Sequence, residues 1–158
     1  MTNEERSQTI QEYGRGFDLL TDALAQIPRP AWEFKPASDQ WSVHETIIHM
    51  ADSEMVGVLR LHTLIAEPGN TVIAYNESKW AEALGYRNQN TDDALQLFQL
   101  LRRTTYHLLQ ALPAQVFTHS VTHSEWNEPY TLEKWLVIYA NHVPEHIAQM
   151  KKTVEAWK

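Results

Sequence analysis

Apolar positions recur at steps of three and four along four long stretches of the chain. In the first, Ile10, Tyr13, Phe17, Leu20, Leu24 and Ile27 form one stripe of a helix that Asn3 caps and that Pro28 and Pro30 end. Gly14 and Gly16 weaken its middle by about 1 kcal/mol each, so packing has to hold it together. Ser42-Val43-His44-Glu45 has the spacing of a capping box and opens a second helix over residues 43–66, with Ile47, Ala51, Val58, Leu61 and Ile65 apolar. Thr91 caps a third, striped by Ala94, Leu97, Leu101, Leu108 and Leu112. Thr131 caps a fourth that runs to about Ala156. Residues 71–90 read as a polar crossover with a short helix near 76–80, and residues 117–130 as an extended loop or small hairpin. The pattern predicts an all-α fold, a four-helix bundle with a long connection between helices 2 and 3, formed by one domain over residues 1–158.

Composition narrows the chemistry. The chain of 158 residues has no cysteine and eight histidines. Disulfides, cysteine-bound zinc or iron–sulfur clusters and a protein thiol nucleophile are therefore excluded, and a metal site would have to use histidine and carboxylate. The net charge of −7 weighs against phosphate-backbone binding, so no nucleic-acid partner is expected. The N-terminus is polar, and no stretch approaches the roughly 18 apolar residues of a spanning helix. No membrane association and a cytoplasmic location are the corresponding expectations.

The fourth helix carries the strongest chemical signal. Its inward stripe is Leu132, Trp135, Leu136, Tyr139, His142, His146, Met150 and Val154, so two histidines stand where apolar side chains belong. Four residues apart, they share one face with Cβ atoms about 6 Å from each other, a spacing that lets two imidazoles share a cation. Two hydrogen-bonded histidines without metal fit the same spacing. Pro144 lies between them and removes a helical hydrogen bond, which predicts a kink or bulge. A third ligand is open among His44, His49, His62, His107, His119, His123 and the carboxylates. Periodicity alone puts His49 on a solvated polar face with Glu45, Asp52 and Ser53.

Trp41-Ser42-Val43-His44-Glu45-Thr46-Ile47-Ile48-His49-Met50-Ala51-Asp52-Ser53-Glu54 resembles the second-helix motif of the DinB/YfiT-like superfamily. Phe34-Lys35-Pro36 fits its lead-in, Tyr130-Thr131-Leu132 the start of its last helix, and Asn141-His142-Val143-Pro144-Glu145-His146-Ile147-Ala148-Gln149 the motif on that helix. The resemblance spans about residues 10–155. It implies a four-helix bundle with a three-histidine site for a divalent metal, zinc, nickel or iron, whose ligands carry over to His49, His142 and His146. It also implies a homodimer, and either a transferase that joins a low-molecular-weight thiol to small-molecule electrophiles or a metal-dependent hydrolase. The DNA-damage-inducible name of one member concerns expression and implies no DNA binding.

Several residues keep plainer readings. Glu45, one turn before His49, and Gln149, one turn after His146, either support the ligands or are a cap or surface residue, the plainer reading being preferred for both; His44 reads as a surface residue and His107 as a core-edge one. His119 and His123 are candidates for the mouth of a cleft. Trp41, Trp80, Trp126 and Trp135 either wall a substrate pocket or fill the core, with Trp80 and Trp126 the better pocket candidates because they lie in connections. Asp52, Glu54 and Glu145 are the carboxylates available as a general base for hydrolysis. A binding module without turnover and a metal-free bundle complete the alternatives.

Overall fold

The computed structural model describes residues 1–157. Its helices are α1 (Asn3–Gly14), α2 (Gly16–Ala25), α3 (Val43–Ala66), α4 (Glu77–Ala83), α5 (Thr91–Ala111) and α6 (Leu132–Glu155). The consecutive pair α1 and α2 forms the first arm of a four-helix bundle, and α3, α5 and α6 form the others. Single 3-10 turns occupy Arg29–Ala31, Tyr86–Asn88 and Ala114–Thr118.

Local chemistry sets the helix ends. Ser42 accepts the amide of Glu45 at the start of α3 while the Glu45 carboxylate accepts the amide of Ser42, the reciprocal box that the spacing predicts. Thr131 caps α6 through the Lys134 amide. Two caps fall one residue from their expected places. Thr2, not Asn3, closes a capping box with Glu5, and Asn90, not Thr91, accepts the amides of Asp92 and Asp93. The first arm is also not one helix. It breaks at Arg15, between the two glycines, where α5 comes close: a Cβ on Gly16 would overlap the guanidinium of Arg102. By contrast, α6 continues as an α-helix through Pro144 without a π or 3-10 segment.

The connections carry a small sheet. β1 (Thr71–Val72), in the crossover, runs parallel to β2 (Ser120–His123), with Val72 opposite His123. β2 pairs antiparallel with β3 (Tyr130–Thr131), Val121 opposite Tyr130. Residues 117–130 form the small hairpin that the pattern allows, and the crossover adds a parallel strand that the pattern does not predict. No described helix is long and apolar enough to cross a membrane.

The apolar interior falls into two clusters. One gathers Leu20, Ile47, Ile48, Met50, Tyr86, Phe98, Val143 and Met150. The other gathers Tyr13, Leu61, Leu64, Phe117, Trp135, Leu136 and Tyr139. On α3 and α5 the change from one cluster to the other is marked by buried charged side chains, Glu54 and Arg102. α3 and α6 approach each other closely at Gly57, whose carbonyl accepts the Trp135 indole N–H at 2.9 Å. A Cβ at Gly57 would overlap the ring of Tyr139. Gly57→Ala should therefore destabilise the fold by about 1–3 kcal/mol, as overpacking does, measured as a drop in the urea midpoint relative to the unmodified chain.

Candidate metal centre

The two longest helices meet at three imidazoles. α3 contributes His49, and α6 contributes His142 and His146 one turn apart. One nitrogen from each lies within 4.8 Å of the others. The Nε2 atoms of His142 and His146 are 3.1 Å apart. Two nitrogens bound at 2.0–2.1 Å to one tetrahedral ion would stand about 3.3 Å apart, so the pair is near ligand spacing. The ring of His49 is centred 4.8 Å from that of His146 and 5.5 Å from that of His142. Among the candidates for a third partner to the α6 pair, the structure brings His49 there and leaves the others elsewhere.

His49 is completely buried, which corrects the solvated-face reading. The polar face of α3 is covered by connections: Trp41 packs against the His49 ring at 4.5 Å between centroids, and Tyr86 donates its hydroxyl to Asp52 at 2.7 Å. Both ring nitrogens of His49 are buried with no hydrogen-bond partner, as is Nδ1 of His142. Buried polar atoms are normally satisfied, so an orphaned imidazole beside two others points to a missing third party. Burial, helped by the neighbouring His146, pushes the His49 pKa down to about 3. Burial and the other two imidazoles put His142 well below its ordinary value, and burial lowers His146 as well. All three are neutral at neutral pH, the form that donates a lone pair to a cation.

Two neighbours orient the α6 pair. Gln149 Oε1 lies 2.9 Å from His146 Nδ1, so that ring donates Nδ1–H and leaves Nε2 with its lone pair directed at the cluster. Gln149 therefore takes the ligand-supporting role of its two readings, not the plainer surface one. It sits at i+3 from His146, a helical spacing that was the available signal. Ser53 Oγ lies 3.4 Å from His142 Nε2.

Glu45, by contrast, is the cap it was read as, and also pairs with Lys35 at 3.0 Å. The other candidate carboxylates are engaged or remote. Glu54 accepts from Arg102 at 2.6 Å and from the Tyr13 hydroxyl, and Glu145 is exposed.

The remaining histidines lie outside the cluster. His44 is not a surface residue: it bridges Glu33 at 2.8 Å and the Tyr86 carbonyl at 3.1 Å, stitching the chain before α3 to the crossover. His107 is exposed rather than at the core edge, and His62 is exposed. His119 contacts the Leu64 carbonyl at 3.2 Å, and His123 stacks on Trp126 at 4.5 Å. Of the tryptophans, Trp135 fills the core, Trp80 packs on Tyr75, and Trp41 contacts the centre. Trp41 and Glu45 also line a cleft of about 520 Å³ together with Lys35, Asp39 and Arg87.

Comparison with known proteins agrees with this architecture. The family model described as the DinB superfamily matches residues 12–150. "Putative metal-dependent hydrolase YfiT" of Bacillus subtilis is 30% identical over 110 residues, 70% of this chain and 62% of that protein, so the match spans less than two thirds of its length. "Putative metal-dependent hydrolase OB0782" of Oceanobacillus iheyensis is 31% identical over 132 residues, 84% of this chain and 76% of that one. The solved structure of the B. subtilis protein matches with a TM-score of 0.89 at 25% identity, covering 97% of this chain and 87% of that one. It is described as "a probable metal-dependent hydrolase with an unusual four-helix bundle topology".

The buried imidazoles set an acid limit on stability. Folded His49 stays neutral down to about pH 3, whereas in the unfolded chain it protonates near its ordinary 6.5. Between those values the unfolded chain binds more protons, so stability is highest above pH 6.5 and falls as the pH drops through that window. Metal-free protein should lose a few kcal/mol between about pH 7 and pH 4 in urea titrations. His49→Phe should flatten that dependence; an unchanged slope would contradict the neutral, buried state of His49.

Proposed function

This chain belongs to the DinB superfamily, and from that membership and its buried imidazole cluster we propose a metal-dependent enzyme in which His49, His142 and His146 hold one divalent cation. The observation that carries this reading is the orphaned state of His49, with two buried and unpartnered nitrogens inside a group whose ligand atoms lie within 4.8 Å. Three neutral imidazoles suit zinc, nickel or iron, and three protein ligands leave coordination positions open, as catalytic sites do. A divalent ion held there supplies Lewis acidity, lowering the pKa of a coordinated water or thiol.

The chain's own residues prepare the site for that ion. Gln149 fixes the His146 tautomer, and burial keeps protons from competing for the three lone pairs. Trp41 lies against the His49 ring and also lines the neighbouring cleft.

Hydrolysis of a small ester or amide is the reaction that the names of the relatives support. Transfer of a low-molecular-weight thiol to a small electrophile is the second reading, favoured by the state of the carboxylates. Asp52 accepts from Tyr86, Glu45 is a cap, Glu54 is locked to Arg102, and Glu145 faces solvent. Hydrolysis calls for a base to take a proton from water. A thiol is acidic enough to need none at such a centre, and in a chain without cysteine the sulfur would arrive with the cosubstrate.

Elemental analysis of untagged protein should find about one divalent ion per chain, and far less in His146→Ala. Equal metal content in both would sink the three-ligand reading. Gln149→Leu should keep the fold and weaken metal affinity by about 10–100-fold, read by competition with a chelator. Turnover of p-nitrophenyl esters without thiol would support the hydrolase. Turnover of a chloronitrobenzene only with added thiol would support the transferase.

A further inference from the structure

A hydroxyl inside a helix has a default partner, the carbonyl one turn back. Thr9, Thr21, Thr46, Thr63 and Thr104 all follow it, each donating to the carbonyl four residues earlier at 2.7–3.1 Å. Ser53 departs from them. It lies inside α3, one turn after His49 and on the same face. It is buried, yet among the described residues its hydroxyl makes no bond to the carbonyl of His49. Its Oγ instead meets Nε2 of His142 at 3.4 Å.

That nitrogen is the one His142 turns toward the cluster, 3.1 Å from Nε2 of His146. It has a single lone pair, which in the metal-free chain can accept from Ser53. A cation that takes the lone pair removes this acceptor and leaves a buried hydroxyl without a partner, a costly state unless a new acceptor arrives. Ser53 is held in place meanwhile, because the Tyr139 hydroxyl of α6 donates to its carbonyl at 3.4 Å. An ion bound 2.0–2.1 Å from Nε2 would lie within about 5.5 Å of Ser53 Oγ. One metal–oxygen bond followed by one hydrogen bond spans about 4.9 Å, so an oxygen carried by the ion is the acceptor that fits.

We infer that Ser53 is a positioning residue of the three-histidine centre, its hydroxyl donating to the oxygen that occupies an open coordination position, an inference that rests on reading that centre as a metal site. Negative charge gathers on such an oxygen when a coordinated water gives up a proton or a coordinated carbonyl is attacked. A hydroxyl already aimed there favours the charged form without any rearrangement of the fold. The other polar groups on this stretch of α3 are committed elsewhere. Glu45 caps the helix, Asp52 accepts from Tyr86, and Glu54 accepts from Arg102. Ser53 is the side chain left to turn toward what the ion holds.

Cobalt(II) tests the placement, because its absorption reports its ligands. The unmodified chain should bind about one Co(II) with visible d–d bands. In Ser53→Cys the new thiolate should join the coordination sphere and add a thiolate-to-cobalt charge-transfer band in the near ultraviolet. Ser53→Ala should bind Co(II) within about twofold of the unmodified chain, while its affinity for acetohydroxamate, an oxyanion ligand of the ion, falls about tenfold. A cobalt spectrum without the thiolate band in Ser53→Cys, or unchanged acetohydroxamate affinity in Ser53→Ala, would overturn the role of Ser53 and leave the metal centre standing. Loss of Co(II) binding in Ser53→Ala would also overturn it, since Ser53 would then support His142 rather than the bound oxygen. No cobalt spectrum in the unmodified chain would overturn the metal centre, and the role of Ser53 with it.

Discussion

The buried pair of Arg102 and Glu54 is the constraint on which the rest of the bundle depends. Arg102 is 1% exposed and Glu54 is fully buried. An arginine cannot shed its proton, so its charge must be met inside the fold. It donates to Glu54 on α3 at 2.6 Å, to the Tyr139 carbonyl on α6 at 3.2 Å and to the Tyr13 carbonyl on α1 at 3.1 Å. Tyr13 closes the network with its hydroxyl on Glu54. One side chain of α5 thus touches the other three arms of the bundle. Breaking a buried pair by removing one partner generally costs about 3–5 kcal/mol, because the other charge stays uncompensated. The gain is register: Glu54 lies five residues after His49, and Tyr139 lies three before His142. A slip of α3 against α6 would strand Arg102 and pull the imidazoles apart at the same time.

How far the sequence disclosed this follows from where each residue sits. The α6 pair was legible because His142 and His146 interrupt an apolar stripe that is otherwise regular. His49 was not legible from periodicity, because α3 is buried on almost every side through its first three turns, from Val43 to Glu54. A moment argument assumes one wet face, and here Trp41, Tyr86 and the crossover cover the polar one. Only the resemblance to a family motif selected His49, and the structure places it against the α6 pair. The Arg102–Glu54 contact left no periodic trace either, since an arginine and a glutamate on helices read as surface residues until the partner across the bundle is seen.

Smaller departures have local causes. Thr2 and Asn90 are the caps in place of Asn3 and Thr91, their immediate neighbours with the same capping chemistry, so propensity could not separate them. By helix propensity Gly14 and Gly16 are weak points that packing must hold. Packing instead makes use of them: the Arg102 guanidinium occupies the space that a Cβ on Gly16 would fill, and the helix breaks between the two. The break serves the same buried charge that fixes the register.

α3 therefore carries several kinds of chemistry on one rigid rod. Its first turns hold His49 against α6, its middle holds the ion pair and the close approach at Gly57, and its later turns hold Arg60 among tyrosines. A continuous helix fixes the spacing of these points along α3, so the Arg102–Glu54 contact that sets where α3 lies against α6 also sets where His49 meets His142 and His146.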